Sequence, residues 1–308
     1  MENFSVTILG SSSASPTNDR NTSAQIVNFY HRYYLIDCGE GTQMQLRKNK
    51  LKISRINHIL ISHLHGDHFF GLIGLVSSQN LFGRKNDLHI YADPRIQEVI
   101  ELQMKLSETI LRFQIIYHPL NFTEKETIFE DKKLRISSFP LNHRVPTCGF
   151  LFQEKKSLPN IKKSFVKEYN PSIEQIKEIR SGGGFITNDG HTYLHQKITI
   201  PADEPRSFAY CSDTKYFEGL SDEFTDVELL YSECTFMKDF QKIASDKFHL
   251  TTADCAKIAE ESKAKKLIVG HFSARYKEIL DLKNELTDLV PTAEVVRDNQ
   301  IFHIREHS

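Results

Sequence analysis

Short apolar runs that stop at glycine or at polar clusters recur along the chain, and most of them read as strands. Phe4-Ser5-Val6-Thr7-Ile8-Leu9 ends at Gly10; Ser23 to Phe29, Tyr33 to Ile36 and Ile56 to Ile61 follow. Asp87 to Tyr91, Ile115 to Tyr117, Lys133 to Phe139, Ser207 to Cys211, Val227 to Tyr231, Lys266 to Val269 and Ala293 to Arg297 have the same character. Helical spacing covers Gln43 to Lys48, Phe69 to Leu81, a stretch from the Asp93-Pro94 cap to about Leu111, Cys255 to Ser262 behind Thr251-Thr252-Ala253-Asp254, and Lys277 to Leu289. Strands with intervening helices predict a layered α/β fold rather than an all-β one.

Gln153 to Lys197 breaks the pattern. This stretch carries Lys155-Lys156, Lys162-Lys163, a helix-like Ser172 to Ile179 and Ser181-Gly182-Gly183-Gly184. It holds eight Lys/Arg against five Asp/Glu, in a chain of 308 residues whose net charge is −1. A long insertion hinged on glycines predicts an arm or lid on a single domain spanning 1–308. The near-neutral total means that any polyanion must be met by a local basic surface. Cys38, Cys148, Cys211, Cys234 and Cys255 stand singly, as reduced thiols of a cytoplasmic protein do. Neither a signal peptide nor a membrane span is expected.

The chemistry concentrates in His63-Leu64-His65-Gly66-Asp67-His68, set between Ile59-Leu60-Ile61 and a second apolar run. Imidazoles and carboxylates are costly to bury unpaired, so this composition points to a cation. Two ions would need about six to eight protein ligands, more than the hexapeptide can offer. His143, Asp213 and His271 each follow a predicted strand, as His63 does, and the carboxyl edge of an open sheet is where ligands gather. His63, His65 and His143 can face one ion and Asp67, His68 and His271 another, with Asp213 able to bridge. Imidazole and carboxylate without thiolate suit Zn²⁺ first and Mn²⁺ second.

These residues resemble the metallo-β-lactamase superfamily, whose fold is an αββα sandwich. Asp37-Cys38-Gly39-Glu40-Gly41-Thr42-Gln43, Ser212-Asp213-Thr214, Glu233-Cys234-Thr235-Phe236, His249-Leu250-Thr251-Thr252 and Gly270-His271-Phe272-Ser273-Ala274-Arg275-Tyr276 narrow the likeness to the short form of the ribonuclease Z family, over essentially the whole chain. The resemblance implies two zinc ions on the ligands just named and a metal-bridging hydroxide as nucleophile, with Asp67 orienting or deprotonating the attacking water. His249, steadied by Glu233, would serve the leaving 3′-oxygen. It further implies removal of the 3′ trailer from precursor tRNA after the discriminator base, leaving a 3′-hydroxyl on the tRNA and a 5′-phosphate on the trailer. A homodimer is implied as well, with 153–197 as the arm that grips tRNA. Asp37 reads as a turn or supporting carboxylate.

The chain departs from the family at two places. The arm lacks the usual Gly-Pro turn, and in Pro16-Thr17-Asn18-Asp19-Arg20-Asn21 an asparagine, Asn18, stands where the family carries lysine. Arg20 and Asn21 match the family, and with Arg275 they are the expected substrate contacts. Asn18 is expected to alter discrimination of a CCA end and to spare cleavage. The competing readings are a small-molecule phosphodiesterase of the same fold, which has no use for a basic arm, and a non-catalytic RNA-binding partner, which has no use for a full ligand set. His31, His58, His89, His118, His191, His195, His303 and His307 lack any such context and read as ordinary surface or core residues.

Overall fold

Both faces of the first sheet are buried, so alternate residues along its strands differ in partner rather than in polarity. The computed structural model describes residues 4–305, leaving His307 outside them. The sheet runs β18-β1-β2-β3-β4-β5-β6, from Phe4–Gly10 (β1), Ala24–Phe29 (β2), Arg32–Ile36 (β3), Ile56–Leu60 (β4), Leu88–Ala92 (β5), Ile115–Pro119 (β6) and Ile301–His303 (β18). Val6, Ile8, Val27, Phe29, Tyr34, Ile36, Leu60 and Tyr91 face the second sheet. Ile26, Leu35, Ile59 and Ile90 face the other way, onto Leu46 of Thr42–Lys48 (α1), Leu72 and Leu75 of Leu72–Leu81 (α3), and Ile96 and Ile100 of Arg95–Leu106 (α4).

The second sheet, also seven-stranded, runs β17-β16-β15-β14-β9-β8-β7. Its strands are Glu126–Glu130 (β7), Leu134–Leu141 (β8), Thr147–Glu154 (β9), Ser207–Cys211 (β14), Leu229–Glu233 (β15), Leu267–Gly270 (β16) and Glu294–Val295 (β17). Phe139, Phe150, Phe152 and Phe208 fill its interior, and Cys255 and Ile258 of Thr252–Glu261 (α9) with Leu282 and Leu286 of Leu280–Leu289 (α10) complete the same core. Each such side chain contributes about 2 kcal/mol on burial. The result is the expected αββα sandwich of two mixed sheets flanked by helices.

Between β9 and β14 the inserted segment has a core of its own, made by Phe165, Ile179, Phe185 and Ile198. Asn160–Ile161 (β10) pairs with Thr199–Ile200 (β13), bringing the ends of the insertion together; Lys163–Tyr169 (α5), Ile173–Arg180 (α6), Phe185–Ile186 (β11), Thr192–Tyr193 (β12) and His195–Ile198 (α7) lie between. Ser172 and Gln175 close a reciprocal cap at the start of α6.

Several element boundaries differ from the sequence reading. The helix expected over Phe69 to Leu81 is two, Gly66–Phe69 (α2) and α3. Gly71 sits so close to the turn after β3 that an added Cβ would stand 2.2 Å from the Gly39 carbonyl oxygen, and its N–H bonds to the Cys38 carbonyl. The helix from Asp93 ends at Leu106 because Glu108 turns left-handed, φ 51°. The strands β7, β9 and β18 and the helix Gln241–Lys247 (α8) have no counterpart in the sequence reading.

Candidate metal centre

The carboxyl ends of β3, β4, β8, β14, β15 and β16 converge; Asp37, Glu233 and the seven candidate ligands lie on or just beyond them, while His249 enters from the turn after α8. His63 and His65 lie in the turn after β4, Asp67 and His68 open α2, His143 follows β8, Asp213 follows β14 and His271 follows β16. The spacing of their donor atoms is that of shared coordination. His63 Nε2 is 3.1 Å and His143 Nε2 3.2 Å from His65 Nδ1. Asp213 Oδ2 is 3.7 Å from His63 Nε2 and 3.8 Å from His143 Nε2. On the other side His68 Nε2 and His271 Nε2 are 3.3 Å apart, each within 3.5 Å of both Asp67 Oδ2 and Asp213 Oδ1. Ligands about 2.0–2.1 Å from a tetrahedral ion stand about 3.3 Å from one another, so two four-atom clusters sharing Asp213 match a pair of divalent ions. Asp213 Oδ1 is buried and makes no hydrogen bond, as a metal-bound oxygen would not need to.

What fixes the rings is the nitrogen that each turns away from the cluster. His68 Nδ1 bonds to Asp37 Oδ2 at 2.8 Å, His143 Nδ1 to the Phe248 carbonyl at 2.9 Å, His271 Nδ1 to Thr235 Oγ1 at 2.9 Å, and His63 Nδ1 lies 3.1 Å from Ser62 Oγ. Asp37, fully buried, also accepts from the Ser62 amide and from Tyr210 Oη. Asp37, Phe248 and His271 all hold left-handed φ angles of 54–61°, strain that surrounding hydrogen bonds impose at the site. Asp37 thus holds the His68 imidazole in place, a supporting carboxylate rather than a member of the cluster. Ser62, Tyr210, Thr235 and Phe248 were missed; for Ser62 and Thr235 the available signal was adjacency to His63 and Glu233.

The electrostatics suit a cation. Burial holds His63 well below its ordinary pKa and lowers His65 and His143, so these imidazoles are neutral donors. Burial acts to raise Asp67 and Asp213, yet the facing imidazoles of His68 and His271 outweigh it and keep both carboxylates ionised. Burial likewise opposes a charged His249, but Glu233, then Asp213, raise it to about 9. His249 Nδ1 is 2.9 Å from Glu233 Oε1. Glu233 is itself held by the amides of Thr214, Thr235 and Leu250 and by Thr235 Oγ1.

Asp67, His65, His249, Asp213 and His271 line an open cleft of about 480 Å³ with Ser13, Ala14, Ser15 and Pro16. The cleft's wall is therefore the loop that carries the expected substrate contacts. Arg20 is buried and donates to the Tyr276 carbonyl, and Asn21 donates to Asp298 from both its amide and its side chain. Both brace the loop from behind, whereas Asn18 is exposed on it. Arg275 is exposed and rests on the rings of Phe236 and Phe240.

Residues 4–160 match the family model described as Anti-Pycsar protein Apyc1, a stretch that includes His63 to His68 and His143 and ends before Asp213, Glu233, His249 and His271. Ribonuclease Z of Bacteroides fragilis (strain YCH46) is 38% identical over 299 residues, covering 97% of this chain and 98% of its own. The crystal structure of human tRNase Z, short form, superposes with a TM-score of 0.72 at 26% identity, over 98% of this chain and 100% of the other. The metallo-β-lactamase fold protein YhfI from Bacillus subtilis superposes with a TM-score of 0.68 at 16% identity over 98% and 99%, which shows the fold alone. The chain thus has the metallo-β-lactamase fold and, by its full-length relatives, belongs to the ribonuclease Z family.

Proposed function

We propose that the protein is a zinc-dependent endoribonuclease that removes the 3′ trailer from precursor tRNA, cutting after the discriminator base. The observation that carries this reading is His249, its Nδ1 held 2.9 Å from Oε1 of buried Glu233 at the edge of a seven-residue cluster that suits two divalent ions. Two Zn²⁺ ions held by His63, His65 and His143 and by Asp67, His68 and His271, with Asp213 between, would supply a water that is nucleophilic near neutral pH and charge to neutralise the phosphate. Asp67 Oδ2 faces that region and orients or deprotonates the water. His249 spends Nδ1 on Glu233, so the proton for the departing 3′-oxygen sits on Nε2.

The inserted segment presents Lys156, Lys162, Lys163, Lys167, Lys177 and Lys197 to solvent, and we assign it to the tRNA body; such contacts weaken as salt rises. In this reading residues 1–308 work as one domain with 153–197 as its tRNA-binding arm, exposed Arg275 is left to meet the RNA end, and Arg20 and Asn21 serve that end by holding the loop rather than by touching it. Two copies would pair through Leu81, Phe82, Leu106 and Ile110, which are 71–87% exposed. Asn80 joins the ends of this patch by hydrogen bonds to Ile110 and Arg112. Light scattering should report a dimer that Ile110→Lys dissociates. All five cysteines are free and buried, which fits a reducing cytoplasm, and among the described residues no helix is long and apolar enough to cross a membrane.

The decisive experiment maps the cut made on a precursor tRNA by purified, metal-analysed protein. Cleavage one nucleotide or more away from the discriminator boundary, or none at all, would sink the reading. Replacing residues 162–198 by a short linker separates it from a small-molecule phosphodiesterase: precursor cleavage should vanish while a chromogenic diester is still hydrolysed. Asn18→Lys should shift the cleavage ratio of precursors with and without an encoded CCA; an unchanged ratio removes Asn18 from that role.

A further inference from the structure

One carboxylate outside the cleft ties down the loop that forms its wall. Asp298 Oδ1 accepts from Ser11 Oγ at 2.7 Å, and Oδ2 accepts from the Asn21 amide at 2.7 Å and from Asn21 Nδ2 at 2.9 Å. Ser11 and Asn21 are the two ends of the loop, and Asp298 spans them. The anchor is rigid because the next residues are stitched to β1: Asn299 N–H donates to the Ile8 carbonyl at 2.7 Å, and Ile8 N–H to that of Gln300 at 2.9 Å. The ends of the loop also press together, since a Cβ on Gly10 would stand 1.8 Å from the Thr22 carbonyl oxygen.

The middle of the same loop reaches the chemistry. Ala14, left-handed at φ 57°, directs its N–H to Asp67 Oδ2 at 2.7 Å. That oxygen is the one lying 3.4 Å from His271 Nε2 and 3.5 Å from His68 Nε2. Asp67 is short and follows Gly66, and among the described residues this amide is its one hydrogen bond from outside the imidazole cluster. Whatever holds Ala14 therefore holds the carboxylate.

We propose that Asp298 is a positioning residue for Asp67, acting through the loop 11–21, whose ends it clamps and whose Ala14 amide orients the carboxylate. It touches neither substrate nor metal ligand. The consequence is that the segment forming the cleft wall beside the RNA end is coupled to the residue that handles the attacking water, so a poorly seated end costs turnover as well as affinity. This inference rests on the hydrolytic reading of the site and leaves the identity of the RNA open.

Asp298→Asn tests it, because an amide keeps a single acceptor and turns an N–H₂ toward donors that need an acceptor. On bis(p-nitrophenyl) phosphate, which is too small to need the RNA contacts, kcat should fall about 10- to 100-fold with KM within about twofold. Asp298→Glu should recover part of the loss. Zinc release to a chelating dye should be faster in Asp298→Asn, a readout independent of turnover. Ser11→Ala removes a single bond and should cost about threefold, and the double variant should be no worse than Asp298→Asn alone. A folded Asp298→Asn protein with wild-type diester turnover and zinc retention overturns the proposal, whatever happens to its KM for precursor tRNA. If Asp298→Asn fails to fold, Ser11→Ala decides: unchanged kcat and zinc release overturn it. A wild-type protein that hydrolyses the diester but cuts no precursor tRNA would defeat the proposed function and leave the Asp298 relay standing.

Discussion

Two groups of histidines share strand β4 and come to opposite ends, one gathering further members from the second sheet and the other staying within the first. His63, His65, His68, His143 and His271 turn their donor atoms to common points around Asp213 and Asp67. His58, five residues earlier on β4, instead stacks face to face with Tyr34 on β3 and His89 on β5, at ring separations of 5.1 and 5.0 Å. His118 continues the row, 2.9 Å from His89 through ring nitrogens and stacked on Tyr91 at 4.3 Å. Strand register makes this ladder, because Tyr34, His58 and His89 are direct neighbours across parallel strands. The difference lies in position and company. Beyond the strand end the chain can turn its rings inward around carboxylates, while within the strand the pleat holds them parallel, and their ring-nitrogen hydrogen bonds run to one another and to Tyr91. The first group suits a cation and the second is packing.

Asp213→Ala should break the first group most completely. One of its oxygens faces each ligand set, so bound metal should fall and precursor cleavage should drop by about 1,000-fold or more, read by metal analysis and single-turnover assays. His249→Ala should cost about 100- to 1,000-fold on precursor tRNA yet far less on a p-nitrophenyl diester, whose leaving group needs no proton. Equal losses on both substrates would remove His249 from the leaving-group side. Asp37→Ala strands His68 Nδ1, Tyr210 Oη and Ser62 without their buried acceptor, and should weaken metal binding or activity about 10- to 100-fold. Wild-type affinity in that variant would mean that packing alone orients His68.

The sequence made the first group legible because its chemistry is local. His63, His65, Asp67 and His68 fall within six residues, and His143, Asp213 and His271 each follow an apolar run that is recognisably a strand. The supporting contacts were not legible to the same degree. Thr235, Tyr210 and the Phe248 carbonyl reach the cluster only because β14, β15 and the turn after α8 lie side by side, which no spacing announces. The boundary errors have a similar origin. Gly71 interrupts an apolar run of helical spacing because another turn needs its space, and β9 carries an apolar stretch buried on both faces, without the alternation that marks a half-exposed strand. The histidine ladder stayed hidden because His58, His89 and His118 are far apart in sequence and become neighbours only through register.

The ladder has its own prediction, the mildest of the set, and its sign follows from burial. Burial, then the neighbouring His89 and the charges of Arg32, His118 and Arg84, lower the His58 imidazole to about 4. Burial lowers His118 as well, with His89 adding to the effect. An exposed imidazole titrates near 6.5, so as pH falls through the interval from there to 4 the unfolded chain takes up a proton that folded His58 refuses. Stability should therefore be lost on acidification across that window, with no contribution from this ring above about pH 7. Between pH 7 and 4.5 the loss attributable to His58 should be about 2 kcal/mol, less what residual solvent access screens. His58→Phe keeps the stacked area against Tyr34 and the edge contact with Phe129 but cannot be protonated. Urea unfolding at the two pH values should thus show a smaller acid loss in the variant than in the wild-type protein. The metal-site histidines titrate in both proteins and cancel in that difference, so equal acid losses would show that the ladder accepts protons without cost and would erase the physical distinction between the two groups.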